Sequence, residues 1–143
     1  MPRRPLPPTA AVVSFIDCIN RADLDGLAEL MTADHQLVVL DEEPLSGRTA
    51  NIEAWNGYFS SFPEYVIHPR HLSSGGERVA VVGTTTGSHL GLADDEELQL
   101  EVVWVADVVD GRLASWQIVE DGAELRRGLG LPRWEPPERW ASG

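Results

Sequence analysis

The chain has 143 residues and a formal net charge of −12, with 43% hydrophobic and 24% charged residues. That length suits a single domain whose core needs no staple, and the balance is that of a globular chain, not a disordered one. So acidic a surface repels phosphate backbones and anionic bilayers, which argues against nucleic acid and membrane as partners.

No apolar run approaches the ~20 residues of a membrane span. Cys18 is the only cysteine; among Phe15, Ile16 and Ile19 it reads as a buried thiol without a disulfide partner. Arg3-Arg4 ahead of the apolar residues 10–16 falls short of a secretory signal. Pro5, Pro7 and Pro8 interrupt it and no small-residue cleavage site follows, so the cytoplasm is the expected compartment.

In chain order, residues 1–8 read as a proline-rich arm, 9–131 as one domain and 132–143 as a tail carrying Trp134 and Trp140. Thr9 is placed to cap a helix in which Val12, Phe15, Ile16 and Ile19 recur at helical spacing. Asp23 is placed to cap a short second helix with Leu24, Leu27, Leu30 and Met31 as its apolar stripe. Residues 36–40 read as a strand, and an acidic turn runs from Asp41 to Gly47. Residues 49–62 read as a third helix with Ile52, Trp55, Phe59 and Phe62 on one side, its middle weakened by Asn56-Gly57.

The remainder reads as sheet. Segments 65–72, 78–88, 98–109 and 112–120 are rich in Val, Thr and Trp, with turns at Gly75-Gly76 and Asp110-Gly111. In 98–109 one face carries Leu98, Leu100, Val102, Trp104, Ala106 and Val108 and must be covered. The other mixes Gln99, Glu101 and Asp107 with Val103, Val105 and Val109, as a protein interface does, and predicts a homodimer. A short helix over 124–129 ends at Gly128-Leu129-Gly130. Helices first and an antiparallel sheet afterwards predict an α+β fold.

Two helices joined through Asn20-Arg21-Ala22-Asp23-Leu24-Asp25-Gly26-Leu27, a strand, Pro44-Leu45-Ser46-Gly47-Arg48 and a further helix resemble the nuclear-transport-factor-two-like superfamily, which includes the ketosteroid isomerases. Gly83-Thr84-Thr85-Thr86-Gly87-Ser88-His89-Leu90-Gly91 and Asp110-Gly111-Arg112-Leu113-Ala114-Ser115-Trp116 are most similar to its SnoaL-like polyketide cyclase branch. The resemblance implies a cone of cystatin-like form. Helices would pack on the concave face of a strongly bent, mostly antiparallel sheet and enclose an apolar pocket. It implies Phe15, Leu37, Val39, Trp55, Phe59, Thr85, His89, Trp104, Trp116 and Ile118 as pocket residues.

The same likeness shows departures. The isomerases' oxyanion tyrosine falls on Phe15, their base aspartate near Val38 or Val39, and their protonated aspartic acid near Trp104. The polar residues of the limonene-type epoxide hydrolases fall on Leu37, Val39, Gly83, Thr85 and Ile118. Neither borrowed mechanism is therefore expected. The acid of the cyclases falls on Glu120, which strand alternation places on the face of Trp116 and Ile118. A carboxyl there would be desolvated, the condition for general acid–base work near neutral pH.

Plainer readings stand beside these. Glu120 also reads as a strand-end carboxyl in water, and His89 as a surface-loop histidine. His68 and His71, three apart in a strand, point to opposite faces; no metal site and no cofactor is expected. The runs Asp94-Asp95-Glu96-Glu97 and Asp41-Glu42-Glu43 read as solvated loops. The expected function is cyclisation or isomerisation of a bulky apolar small molecule, such as a polyketide intermediate. A non-catalytic ligand-binding or dimerisation module is the alternative.

Overall fold

The computed structural model describes residues 6–132; residues 1–5 of the arm and the tail tryptophans Trp134 and Trp140 lie outside the described residues. The chain runs α1 (Pro8–Asn20), α2 (Leu24–Glu29), β1 (Met31–Val39), β2 (Leu45–Ser46), α3 (Arg48–Ser61), β3 (Val66–Gly75), β4 (Arg78–Thr86), α4 (Asp94–Glu97), β5 (Val102–Val109), β6 (Arg112–Val119) and α5 (Ala123–Leu129). Six strands form one sheet in the order β2-β1-β6-β5-β4-β3, antiparallel except where β1 lies beside β6. The architecture is the expected α+β fold, with α1, α2 and α3 against the inner face of a bent sheet.

Helix α1 forms because Ala11, Val12, Phe15, Ile16, Cys18 and Ile19 make one buried stripe. It begins at Pro8 with Pro7 as its cap, two residues before the expected cap Thr9; a proline in the first turn sacrifices no helical hydrogen bond. Its far end is held by Asn20, whose Nδ2 donates to the Ile67 carbonyl (3.0 Å) and whose Oδ1 accepts from the Ile67 amide (2.8 Å). Asp23 caps α2 as expected, Oδ1 accepting from the Gly26 amide at 3.0 Å. Met31 leaves that helix's stripe: it opens β1 and pairs with Leu113.

The sheet bends at irregularities. Between Pro69↔Gly83 and His71↔Val82, Arg70 has no partner on β4. His68 and His71 consequently stand opposite Thr84 and Val82, two residues of one β4 face, so the expected opposite orientation is corrected by the bulge. A side chain at Gly83 would collide with the His68 carbonyl, which explains the glycine there. The β3–β4 turn is Gly76-Glu77, and the β5–β6 turn is Asp110-Gly111 with φ of 51° and 78°.

The two faces of the sheet bury different things. Inward, Val79, Val81, Trp104, Ala106, Val108, Leu113 and Trp116 pack on α1 and its neighbours. Outward, Ala80, Val82 and Val103 pack with Leu131, Leu125 and Leu129, because α5 folds back across the outer face. Gly130, with φ of 71°, ends α5 where a helix end was expected. Val103 is thus covered within the chain and Val105 is buried; of the valines that suggested a dimer face, Val109 alone stays exposed, at 43%. Leu98 and Leu100 are corrected as well: β5 starts only at Val102, and both leucines are exposed.

Candidate functional site

Between α3 and the inner face of the sheet lies a cavity of about 360 Å³, within the range of small-molecule pockets. Apart from Thr85 of β4, its sheet wall is apolar and comes from neighbouring strands in register. Leu37 of β1 pairs with Trp116 of β6, and Ile118 of β6 stands between Val39 of β1 and Trp104 of β5. The Trp104 and Trp116 rings stack at 6.0 Å and 17°. Opposite them, α3 contributes Ala54, Trp55 and Tyr58, and Tyr65 follows from just before β3. Leu40 and Leu90, both exposed, belong to the lining as well.

Polar chemistry gathers at one end. Gly87 (φ 70°) takes the chain off β4, at a point where a side chain would collide with the Glu64 carbonyl. The turn brings Ser88 and His89 to the cavity, and the chain then makes a single turn of helix, α4. The last residue of that turn, Glu97, is 1% exposed. Its Oε2 accepts a hydrogen bond from Thr85 Oγ1, and its Oε1 accepts a longer one, 3.4 Å, from the Ser88 amide. Thr85, itself buried, lines the cavity.

Two tyrosines complete this end. The Tyr58 hydroxyl lies 2.9 Å from His89 Nδ1 and accepts from the His89 backbone N–H at 3.2 Å. Burial raises the Tyr58 phenol above its ordinary value, opposed by the hydrogen bond from His89 and helped by the charge of Glu97. Burial also drives Tyr65 well above the tyrosine range, reinforced by Tyr58 and then by Glu97. This end of the cavity therefore disfavours negative charge.

Of the residues expected from the resemblance, Leu37, Val39, Trp55, Thr85, His89, Trp104, Trp116 and Ile118 line the cavity. Three expected residues are placed elsewhere. Phe15 is wholly buried behind the wall, its ring 5.2 Å from Trp116 and 5.8 Å from His35. Phe59 packs on Trp55 at 5.5 Å but does not line the cavity. Glu120 follows the last residue of β6, is exposed and does not line the cavity. Its neighbour Asp121 is engaged elsewhere, both carboxylate oxygens lying 2.7 Å from the Arg126 guanidinium.

Sequence reasoning missed Glu97, Tyr58 and Tyr65. The acidic run 94–97 was expected in solvent, and three of its members do face outward; a helical turn directs the fourth inward. A lone acid at the end of an acidic run gives no periodicity by which to single it out.

A bent α+β sheet that closes an apolar cavity against its helices defines a class of small-molecule pocket proteins, and the comparisons narrow it. The model of the SnoaL-like domain family matches residues 12–116, and the chain belongs to that family. A Sinorhizobium meliloti protein assigned as a polyketide cyclase superposes with a TM-score of 0.65 at 23% identity, covering 79% of this chain and 94% of that one. SalBIII, an epoxide hydrolase/cyclase-like enzyme in pyran ring formation in the polyether salinomycin, gives 0.65 at 22% identity, covering 78% and 88%. A Kribbella flavida protein assigned as a ketosteroid isomerase gives 0.63 at 18% identity, covering 92% and 91%. Identities this low show the fold alone.

Over 76 residues, 52% of this chain, the sequence is 28% identical to a triosephosphate isomerase of Coprinopsis cinerea and spans 30% of that protein. One mixed six-stranded sheet is not the eight-stranded parallel barrel of that enzyme class. Among the described residues no helix is long and apolar enough to cross a membrane.

Proposed function

We propose that the protein is an enzyme that cyclises or isomerises a bulky apolar small molecule, a polyketide-type intermediate of the kind that leads to an antibiotic. The cavity would hold reacting carbons close together and exclude water, which supplies much of the rate for an intramolecular ring closure. The observation that carries this reading is a buried carboxylate, Glu97, hydrogen-bonded to a hydroxyl in the cavity wall, Thr85. Glu120, exposed and off the cavity, is replaced by Glu97 as the acid–base residue. A substrate carbon acid would give its proton to Thr85 Oγ1 while the threonine's own hydrogen passes to Glu97 Oε2. The resulting enolate attacks an internal carbonyl, and the new alkoxide recovers the proton by the reverse path.

The positions that serve catalysis in the isomerases and epoxide hydrolases hold Phe15, Leu37, Val39, Gly83, Thr85, Trp104 and Ile118, with one hydroxyl among them, and this favours the second reading, a non-catalytic binding module. A homodimer across the part of the outer face that α5 leaves open, around Asp107 and Val109, and a place in the cytoplasm complete the proposal. Light scattering at micromolar concentration should then give twice the chain mass of 15.7 kDa.

The test of function is ring closure of a linear β-polyketone mimic, followed by absorbance. The wild type should accelerate it, and Ala54→Trp, which fills the cavity, should abolish the acceleration. Equal rates for both proteins would move the reaction off this cavity. No acceleration, together with tight binding of a neutral aromatic probe, would establish the binding module instead.

A further inference from the structure

The polar end of the cavity carries information about which apolar molecules it accepts. A threonine hydroxyl has one hydrogen and two lone pairs. At Thr85 the hydrogen is committed to Glu97 Oε2, so what this hydroxyl can offer the cavity is an acceptor. Tyr58 accepts from the His89 amide, which leaves its phenol hydrogen for His89 Nδ1; that donor is committed too. The Tyr65 phenol remains a donor to the cavity, so the preference for one kind of ligand over another rests on Thr85. Behind Thr85 stands a carboxylate in a buried position, held by one hydroxyl and one long amide contact. Among the described residues no arginine lines the cavity.

An anion entering here meets a like charge through a dry wall, and a ligand carbonyl finds lone pairs facing lone pairs at Thr85. A neutral O–H finds an acceptor polarised by a negative charge. From this geometry we infer that the cavity selects ring-sized apolar molecules bearing a neutral hydroxyl donor, a phenol or an enol, and that the Thr85–Glu97 pair reads that donor. The inference rests on the pocket proposed above and names the substrate class within it. The raised phenols of Tyr58 and Tyr65 agree with the exclusion of anions.

Three naphthalenes of nearly equal shape separate the possibilities by calorimetry at neutral pH: 2-naphthol, 2-methoxynaphthalene and 2-naphthoate. A hydrogen bond to a charge-polarised acceptor corresponds to about a tenfold or greater preference for 2-naphthol over the ether. Naphthoate should bind weakest. In Glu97→Gln the preference for naphthol should shrink severalfold and naphthoate should gain, since the buried charge is gone and the shape is kept. Thr85→Val should bring naphthol and its ether to near equality, whereas Thr85→Ser should keep the preference. Circular dichroism and melting confirm that each variant is folded.

A naphthol-to-ether ratio near one in the wild type overturns this inference and leaves the pocket intact. So does a preference that survives both Thr85→Val and Glu97→Gln. Failure of both neutral probes to bind the wild type overturns the pocket reading and this inference with it.

Discussion

Two acidic segments follow strands of the same sheet and meet opposite fates. After β4 the chain turns at Gly87 and makes one helical turn, so Glu97 comes to rest at 1% exposure against Thr85 at the cavity. After β6 it runs to the other side. Glu120 stays in water, and Asp121 is drawn to Arg126, whose side chain is 4% exposed and also reaches Glu101 and the Pro132 carbonyl. The first acid is buried against a neutral hydroxyl, the second partly exposed and neutralised by a guanidinium. Burial of a carboxylate without a cation suits chemistry, whereas burial with one suits anchoring.

The largest expected effect lies in the anchor. Arg126→Ala leaves Glu101 with only the half-exposed Arg70 at 3.6 Å and unpins α5 from Val103, Ala80 and Val82; a loss of about 3 kcal/mol in urea unfolding is expected. A loss below ~1 kcal/mol would mean that α5 is held by its leucines alone, and the contrast between the two segments would weaken.

Next comes Thr85→Val, which strands the Glu97 carboxylate and should cost about 2 kcal/mol. The double variant Thr85→Val/Glu97→Leu should recover most of that, since an apolar pair of similar size leaves nothing unsatisfied. If the double variant is the less stable of the two, the pair is a structural bond and not a site held at some expense to the fold.

Acid should separate two windows. Burial holds the His35 imidazole below its ordinary value of 6.5, partly offset by its 2.6 Å contact to the Leu113 carbonyl. Its contribution is present above pH 6.5 and declines as pH falls below it, because the unfolded chain then binds the proton first. The hydrogen bond from Arg126 holds Asp121 below its ordinary 3.8, against the effect of burial. That stabilisation is present above pH 3.8 and lost as pH falls through the lower folded value. Urea midpoints measured from pH 7.5 to 2.5 should show both steps. Asp121→Asn should flatten only the lower one, and a variant that flattens neither step would show that the Arg126 contact does not govern Asp121.

The smallest effect is expected at Glu120. Glu120→Gln should change stability by no more than about 0.5 kcal/mol and leave probe binding unaltered, as for an exposed side chain off the cavity. Loss of binding in this variant, with Glu97→Gln silent, would exchange the roles of the two acids.

Local physics alone determined much of this protein. The stripe Val12, Phe15, Ile16, Ile19 makes a helix wherever it lies, Asp23 caps the next one, and Asp110-Gly111 closes a hairpin through its positive φ values. Alternation placed Trp104 and Trp116 on the inner faces of their strands and so named most of the cavity's sheet wall. The choices left to tertiary structure were those in which a residue's neighbours come from another element. Arg70 bulges because Gly83 lets the strands close up across it, and this reverses the relation of His68 to His71. Helix α5 could shelter its leucines only on the outer face, since α1 and α3 occupy the inner one, and that took Val103 from the expected dimer surface. Glu97 and Glu120 are alike as residues; which one enters the cavity depended on the side of the sheet to which the chain turned, a long-range choice that no local pattern encodes.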